Sequence, residues 1–331
     1  MSVSINTNTS SMIAIETLNA TQTALSQTEN AVATGQKVST SADNAASYGI
    51  AQQMTGNVSG QSAVNDGLTF ASQIVSSTNT AANSILSVLK DVQNQVTSLG
   101  NNQSPTSLAQ ISAQITSDLS EIDTIARNAT LNGVNLLSAS TSDGLGISSS
   151  SLSFVTGLQG DQQTITGYAT TTLGASYKTQ LSSASVTVSG ASSISTKNSL
   201  TDLLGLGSSA SMGADATSNV FVTAAGSLNT SNFSVAGTTG LAGMVALVQQ
   251  AIIAMTNVTS DLGAKANVIT SMSAYGTTLS NNLTSGAGAL TDADMTAESA
   301  KLTSLQTKQS LGIKALAIAN SQSQNLLSLF Q

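Results

Sequence analysis

Apolar residues recur every three and four positions over long stretches at both ends of the chain, and much less regularly in the middle. From Leu241 the residues seven apart are Leu241, Val248, Met255, Leu262, Ile269, Gly276 and Leu283, and a row offset by three holds Met244, Ala251, Val258, Lys265, Met272 and Leu279. Two such rows make a coiled-coil seam, broken here only by Gly276 and Lys265, and they predict one helix over about 241–283. At ~1.5 Å per residue it would run roughly 65 Å. A second phase begins near Met295, with Leu302, Gln309, Leu316, Ser323 and Phe330 in one row and Leu305, Gly312, Ala319 and Leu326 in the other. This seam is only half apolar, and Ile313, Ile318, Leu327 and Leu329 lie off it. So broad an apolar surface suits packing against several neighbours better than against one helix. Chain ends usually fray and are polar, so the apolar end at Leu326 to Gln331 is expected to be covered by another chain.

The N-terminal segment carries Leu18, Leu25 and Val32 at heptad spacing, with Ile5, Met12 and Ile15 upstream and polar Asn6 to Ser11 placed to cap or precede a helix. Gly35 interrupts it. The stretch Ser39 to Ala46 reads as a turn-rich connector before Ile50 and Met54 resume the pattern. A stronger helix follows, with Val75, Ala82, Leu89 and Val96 in one row and Thr78, Ile85, Val92 and Leu99 in the other, ended by Gly100-Asn101-Asn102. Pro105 starts the next, whose apolar positions are Leu108, Ile111, Ile115, Leu119, Ile122, Ile125 and Ala129. The two predict a helical hairpin.

After Leu137 the texture turns to Ser, Thr and Gly with short period-two stretches at Ser185–Ser189, Val220–Val222 and Phe233–Val235, which predict strands. Residues 138–237 therefore read as an inserted domain of β or mixed character. The helices at 241–283 and 56–129 are natural partners, as are the two terminal segments, so one domain is built from both ends. Heptads report packing without saying whose helix supplies the partner. The pattern alone leaves open a bundle complete as a monomer and an assembly module.

Composition narrows the chemistry. Of 331 residues, 8% are charged and 3% aromatic, with no Cys, His or Trp. There is thus no imidazole base, no thiolate nucleophile and no zinc site of the usual nitrogen and sulfur kind. Arg127 is the only arginine and the net charge is -7, which speaks against nucleic acid and anionic membrane as partners. The first twenty residues lack the basic and continuous apolar regions of a secretory signal peptide. No span of about 18 apolar residues is read for a membrane helix. Asp292, Asp294 and Glu298 read as a capped, acidic first helical turn, with Thr291 or Asp292 as the cap, rather than as a metal cluster. Arg127 is placed to pair with Glu121 or Asp123 on a helix surface. The triplets at Asn128, Asn257 and Asn282 match the N-x-[ST] pattern but are common by chance in a chain so rich in Asn and Thr.

Several motifs in combination resemble flagellin, the subunit of the bacterial flagellar filament. Near the start these are Ile5-Asn6-Thr7-Asn8, Ala33-Thr34-Gly35, Ser41 to Ala46 with Ile50-Ala51, Asn65-Asp66-Gly67, Glu121-Ile122-Asp123 and Asn132 to Leu137. Toward the end they are Ser260 to Ala264, Asp292 to Met295 with Glu298, and Gln324 to Leu329. The resemblance covers about 1–137 and 238–331 and not the middle. It implies a mainly α fold in which long coiled-coil helices from both termini pack together, with an inserted β or α+β outer domain. The implied partition is an inner-core helix at 1–35 pairing with 293–331, a rod segment at 36–137 pairing with 238–292, and a variable domain at 138–237. By the same resemblance Leu18, Leu25, Val32, Leu302, Leu305, Leu316, Leu326, Leu327, Leu329 and Phe330 would make self-assembly contacts. Implied partners are further copies of the chain in a helical homopolymer, an export chaperone, hook-associated junction proteins and the filament cap, with no nucleic acid and no membrane insertion. Implied too are export by the flagellar type III route, an extracellular filament serving motility, no enzymatic activity and no cofactor. A hook–filament junction protein and a filament-borne carbohydrate adhesin are the alternative readings.

Overall fold

The computed structural model describes residues 8–101, 104–138, 146–168, 200–206, 219–222, 228, 234–235 and 238–328, with side chains at 202–203, 234–235, 238–239 and 322–328 left aside. The elements in order are α1 (Thr9–Thr34), α2 (Ala45–Ser98), α3 (Pro105–Asn128), β1 (Ser151–Val155), β2 (Gln162–Thr166), α4 (Leu200–Leu203), β3 (Ser234–Val235), β4 (Thr238–Thr239), α5 (Leu241–Thr291) and α6 (Met295–Ser328). They divide into a terminal unit, residues 1–60 with 278–331, and a central unit, residues 61–277. α2 and α5 contribute to both.

The helix ends follow from local chemistry. Asn8 caps α1 by accepting the Ser11 N–H at 3.0 Å, and Gly35 ends it with φ at 73°, a left-handed conformation that costs glycine nothing. Asn44 accepts the Ala46 and Ser47 N–H groups at the start of α2, and Ser104 with Pro105 opens α3. The cap of α6 is Asp294, which accepts from Thr296 and Ala297, rather than Thr291 or Asp292. Those two still belong to the end of α5: the Thr291 hydroxyl donates to the Ala287 carbonyl and the Asp292 N–H to that of Gly288.

In the central unit both heptad rows of α2 are core. Val75, Ala82, Leu89, Val96, Ile85, Val92 and Leu99 have no exposed surface, and Thr78, equally buried, turns its hydroxyl back to the Ile74 carbonyl. The α5 rows meet them from Met244 through Met255 and Leu262 to Ile269, and Ile115, Leu119 and Ile122 of α3 complete the cluster. A Cβ on Gly100 would strike the Leu241 side chain, and one on Gly276 would strike Asn65 and Gln61, so α2 and α5 run antiparallel. Gly276 interrupts the sequence pattern because two polar side chains occupy the space opposite. An 18-residue stretch of α5 is apolar and long enough, by composition, to cross a bilayer. This corrects the expectation that no such span exists; its buried rows are the core of the central unit.

The described parts of 138–237 enter the same cluster through Leu152, Phe154, Ile165, Leu204, Leu206 and Phe221. β1 and β2 form an antiparallel hairpin with Leu152 opposite Ile165, a pair the strand expectations did not include. β3 and β4 pair Val235 with Thr238, in line with the alternation at 233–235. Val220–Val222 is buried throughout and forms no strand; Val222 makes an isolated bridge to Leu228, and the Val220 N–H donates to the Leu206 carbonyl. The Phe221 and Val222 N–H groups both bond the Asn219 side-chain oxygen, which removes the donors a strand would need. The expected strand at 185–189 lies outside the described residues.

Candidate assembly surfaces

α1 and α6 lie side by side, antiparallel, and polar residues set their register. The Asn8 amide donates to the Ala319 carbonyl at 2.9 Å, the Ser11 hydroxyl to Asn320 at 2.9 Å and the Gln309 amide to Gln22 at 2.5 Å. Gly312 leaves room for Leu18, whose Cδ1 would lie 3.4 Å from a Cβ added there. At the far end the chains are tied by backbone: the Lys37 N–H donates to Thr291 at 2.7 Å and the Ala293 N–H to Gly35 at 2.9 Å. The Lys37 ammonium adds a bond to the Ala289 carbonyl at 3.0 Å. In the connector between α1 and α2, Asp43 Oδ2 accepts the N–H and hydroxyl of both Ser39 and Thr40. Those bonds, that from the Thr40 backbone foremost, favour the ionised form and hold the Asp43 carboxyl below its ordinary value.

The residues expected to make self-assembly contacts fall into distinct settings. Leu25 and Leu305 are buried between α1 and α6, while Leu18, Val32, Leu302 and Leu316 are half-buried along the same seam. Leu326 and Leu327 lie in α6, and Leu329 and Phe330 lie outside the described residues. The most exposed large apolar side chains of the pair were not among the expected contacts: Met12 and Ile13, each 64% exposed, Ile15, Leu311, Ile313 and Ile318. Their signal was their place off the heptad rows, noted for Ile313 and Ile318 and overlooked for Ile13 and Leu311.

The central unit is held by buried polar clamps on α3. Asp123 accepts from Thr201, N–H to Oδ1 at 2.9 Å and hydroxyl to Oδ2 at 2.7 Å. Asn135 donates to the Ala126 and Arg127 carbonyls at the end of α3 and accepts from the Leu137 and Ser138 N–H groups. Asn219 donates to the Ser112 carbonyl and the Thr116 hydroxyl. Asp123, expected on a helix surface, is buried and accepts from Thr201, and the Arg127 guanidinium donates to the Thr124 hydroxyl at 3.4 Å. On α5, Asp261 accepts the Tyr168 hydroxyl at 2.7 Å, and burial together with that carboxylate raises the phenol above its ordinary value.

Among the described residues no group of three or more acidic side chains is placed to hold a metal ion. A cavity of about 260 Å³ between α2 and the β1–β2 hairpin is lined by Ala63, Val64, Gly67, Phe70, Leu152, Ser153, Phe154, Val155 and Gln162, without a titratable group among them.

Comparison with known proteins agrees with this layout. The bacterial flagellin N-terminal helical region matches residues 5–142, and the bacterial flagellin C-terminal helical region matches 245–330. The chain is 30% identical to a flagellin of Brucella melitensis over 329 residues, covering 99% of each chain. It is 29% identical to flagellin C of Rhizobium meliloti, over 99% of each chain, and 28% identical to flagellin FljM of Caulobacter vibrioides, over 99% of this chain and 98% of that one. Nothing in these matches favours the junction or adhesin alternatives. With paired terminal helices, a helical centre and relatives that match from end to end, the chain belongs to the bacterial flagellins, the structural subunits of the flagellar filament.

Proposed function

We propose that the α1·α6 pair is the part of this flagellin through which copies assemble, and that the central unit is the prefolded body each copy brings to the filament. The observation that carries this is the contrast in burial: the α2 rows are fully covered within the chain, whereas the α1·α6 pair exposes Met12, Ile13, Leu311 and Ile318. Exposed apolar side chains grouped on one element are a surface awaiting cover. Leu18, Leu25, Val32, Leu302, Leu305 and Leu316 hold the two helices together, the half-buried Leu18, Val32, Leu302 and Leu316 offering their uncovered area to neighbours, and Leu326, Leu327, Leu329 and Phe330 are taken as further self-assembly contacts by likeness to the family. The inner-core partition at 1–35 with 293–331, the rod at 36–137 with 238–292 and the variable segment at 138–237 belong to this reading. So do secretion through the flagellar export channel, with a chaperone before export and junction and cap proteins at the filament ends, and the absence of catalysis, nucleic-acid binding and membrane insertion. A chain with no cysteine has no disulfide to form or reduce on that route.

The test is replacement in a strain lacking its own flagellins. The full chain should restore filaments and swimming, and a chain without residues 321–331 should yield folded, helical subunits that form none. Normal filaments from the truncated chain would refute the role given to the terminal pair.

A further inference from the structure

The α1·α6 pair does not expose its apolar side chains evenly along its length. Met12, Ile13 and Ile15 on α1 and Leu311, Ile313 and Ile318 on α6 are each at least 45% exposed. The bonds from Ser11 to Asn320 and from Gln309 to Gln22, with Leu18 over Gly312, put residues 12–19 abreast of 312–319. All of these side chains thus sit at nearly one level. Between residues 16 and 34 of α1, and between 296 and 310 of α6, no large apolar side chain is exposed.

At about 3.6 residues per turn, Met12, Ile13 and Glu16 point away from the seam of Leu18, Leu25 and Val32, and Leu311, Lys314 and Ile318 point away from that of Leu302, Leu305 and Leu316. The pair therefore has an apolar patch on each of its two outer edges, facing opposite ways. A single neighbour at one edge leaves the other uncovered. Each patch also carries one exposed charge, and the two are opposite: Glu16 on the α1 edge and Lys314 on the α6 edge. An α1 edge against another α1 edge would bring two carboxylates together, and α6 against α6 two ammonium groups. Only α1 against α6 buries apolar surface on both sides and sets opposite charges face to face.

We infer that the α1 edge of one copy docks on the α6 edge of the next, Met12 and Ile13 against Leu311 and Ile318, with Glu16 opposite Lys314. The contact is heterologous: each copy uses one edge and presents the other, so the array continues rather than closing as a symmetric dimer. The inference rests on the filament reading above and names the side chains that pair within it.

The experiment is charge reversal, read as the subunit concentration at which the purified full chain polymerises and pellets. Glu16→Lys and Lys314→Glu should each raise that concentration by about tenfold, as for a close interfacial charge pair. The double variant should return to within about threefold of wild type. Circular dichroism of the unpolymerised subunits should show equal helix content in all four proteins. If wild type polymerises and the double variant does no better than the single ones, the pairing is overturned while the filament reading stands. If wild type itself does not polymerise, that reading falls and the pairing with it. Where a reversal lowers helix content, Glu16→Gln and Lys314→Gln carry the test: added salt should raise the wild-type polymerisation concentration and leave that of both variants nearly unchanged, and an equal salt effect in all three overturns the pairing.

Discussion

α2 between Val75 and Leu99 and the α1·α6 pair are built on the same heptad spacing, yet the first is closed and the second open. In α2 both rows are apolar apart from Thr78, and every member is buried, the apolar ones in a cluster that residues of α3, α5 and the middle segment share. In the terminal pair the seam includes Ser11, Thr28, Gln309 and Gly312, and Thr28 Oγ1 is buried without a hydrogen-bond partner. A lone two-helix seam with few apolar pairs is marginal in water. The same spacing thus yields a finished core where the chain supplies a third and fourth partner, and an unfinished surface where it supplies only two helices. The difference suits a subunit that must fold its body by itself and complete its ends only among neighbours.

The comparison can be broken most forcefully in the core. Leu89→Ala, which empties a fully buried site, should lower the stability of the soluble subunit by about 2 to 5 kcal/mol in urea unfolding. Leu25→Ala in the terminal pair should leave that same transition within about 0.5 kcal/mol, because it lies outside the cooperative cluster, and should act on polymerisation instead. Equal effects of the two on the soluble subunit would erase the distinction.

A smaller effect sharpens the picture of the closed unit. Tyr168, raised above its ordinary value by burial and by Asp261, favours the fold as the neutral phenol. Its contribution is complete below the unfolded tyrosine value near pH 10 and is lost as pH climbs from there toward the folded value. Urea midpoints measured from pH 8 to pH 11 should therefore fall more for wild type than for Tyr168→Phe. Parallel declines would show that the bond to Asp261 is not coupled to folding.

Much of the fold was legible because periodicity is a local signal. The α2 and α5 rows, the break at Gly35 and the restart at Met295 can all be read from spacing; the structure buries the α2 rows and the α5 rows from Met244 to Ile269 apart from Lys265, and carries α5 past the expected end near 283 to Thr291. The β1–β2 hairpin left a signal too, alternating Leu152 and Phe154 with serines, but serine-rich sequence on every side obscured it. The clamps at Asp123, Asn135 and Asn219 were not readable, since a polar residue in a helical or turn pattern looks solvated until its partner arrives. For Asp123 that partner, Thr201, is 78 residues away. Val220–Val222 misled because alternation reports side chains, whereas Asn219 decides where the backbone donors go. In the terminal pair the seam was legible, but that the exposed off-seam residues of the two helices sit at one level depends on the register of α1 against α6, which Ser11, Gln22 and Gly312 set.

The most direct test of the open-versus-closed account is amide hydrogen exchange on the soluble subunit and on the filament. In the soluble subunit, amides of α1 and α6 should exchange orders of magnitude faster than those of α2 between Val75 and Val96, and in the filament both sets should be slow. Protection of α1 and α6 in the soluble subunit equal to that of the α2 rows would contradict it.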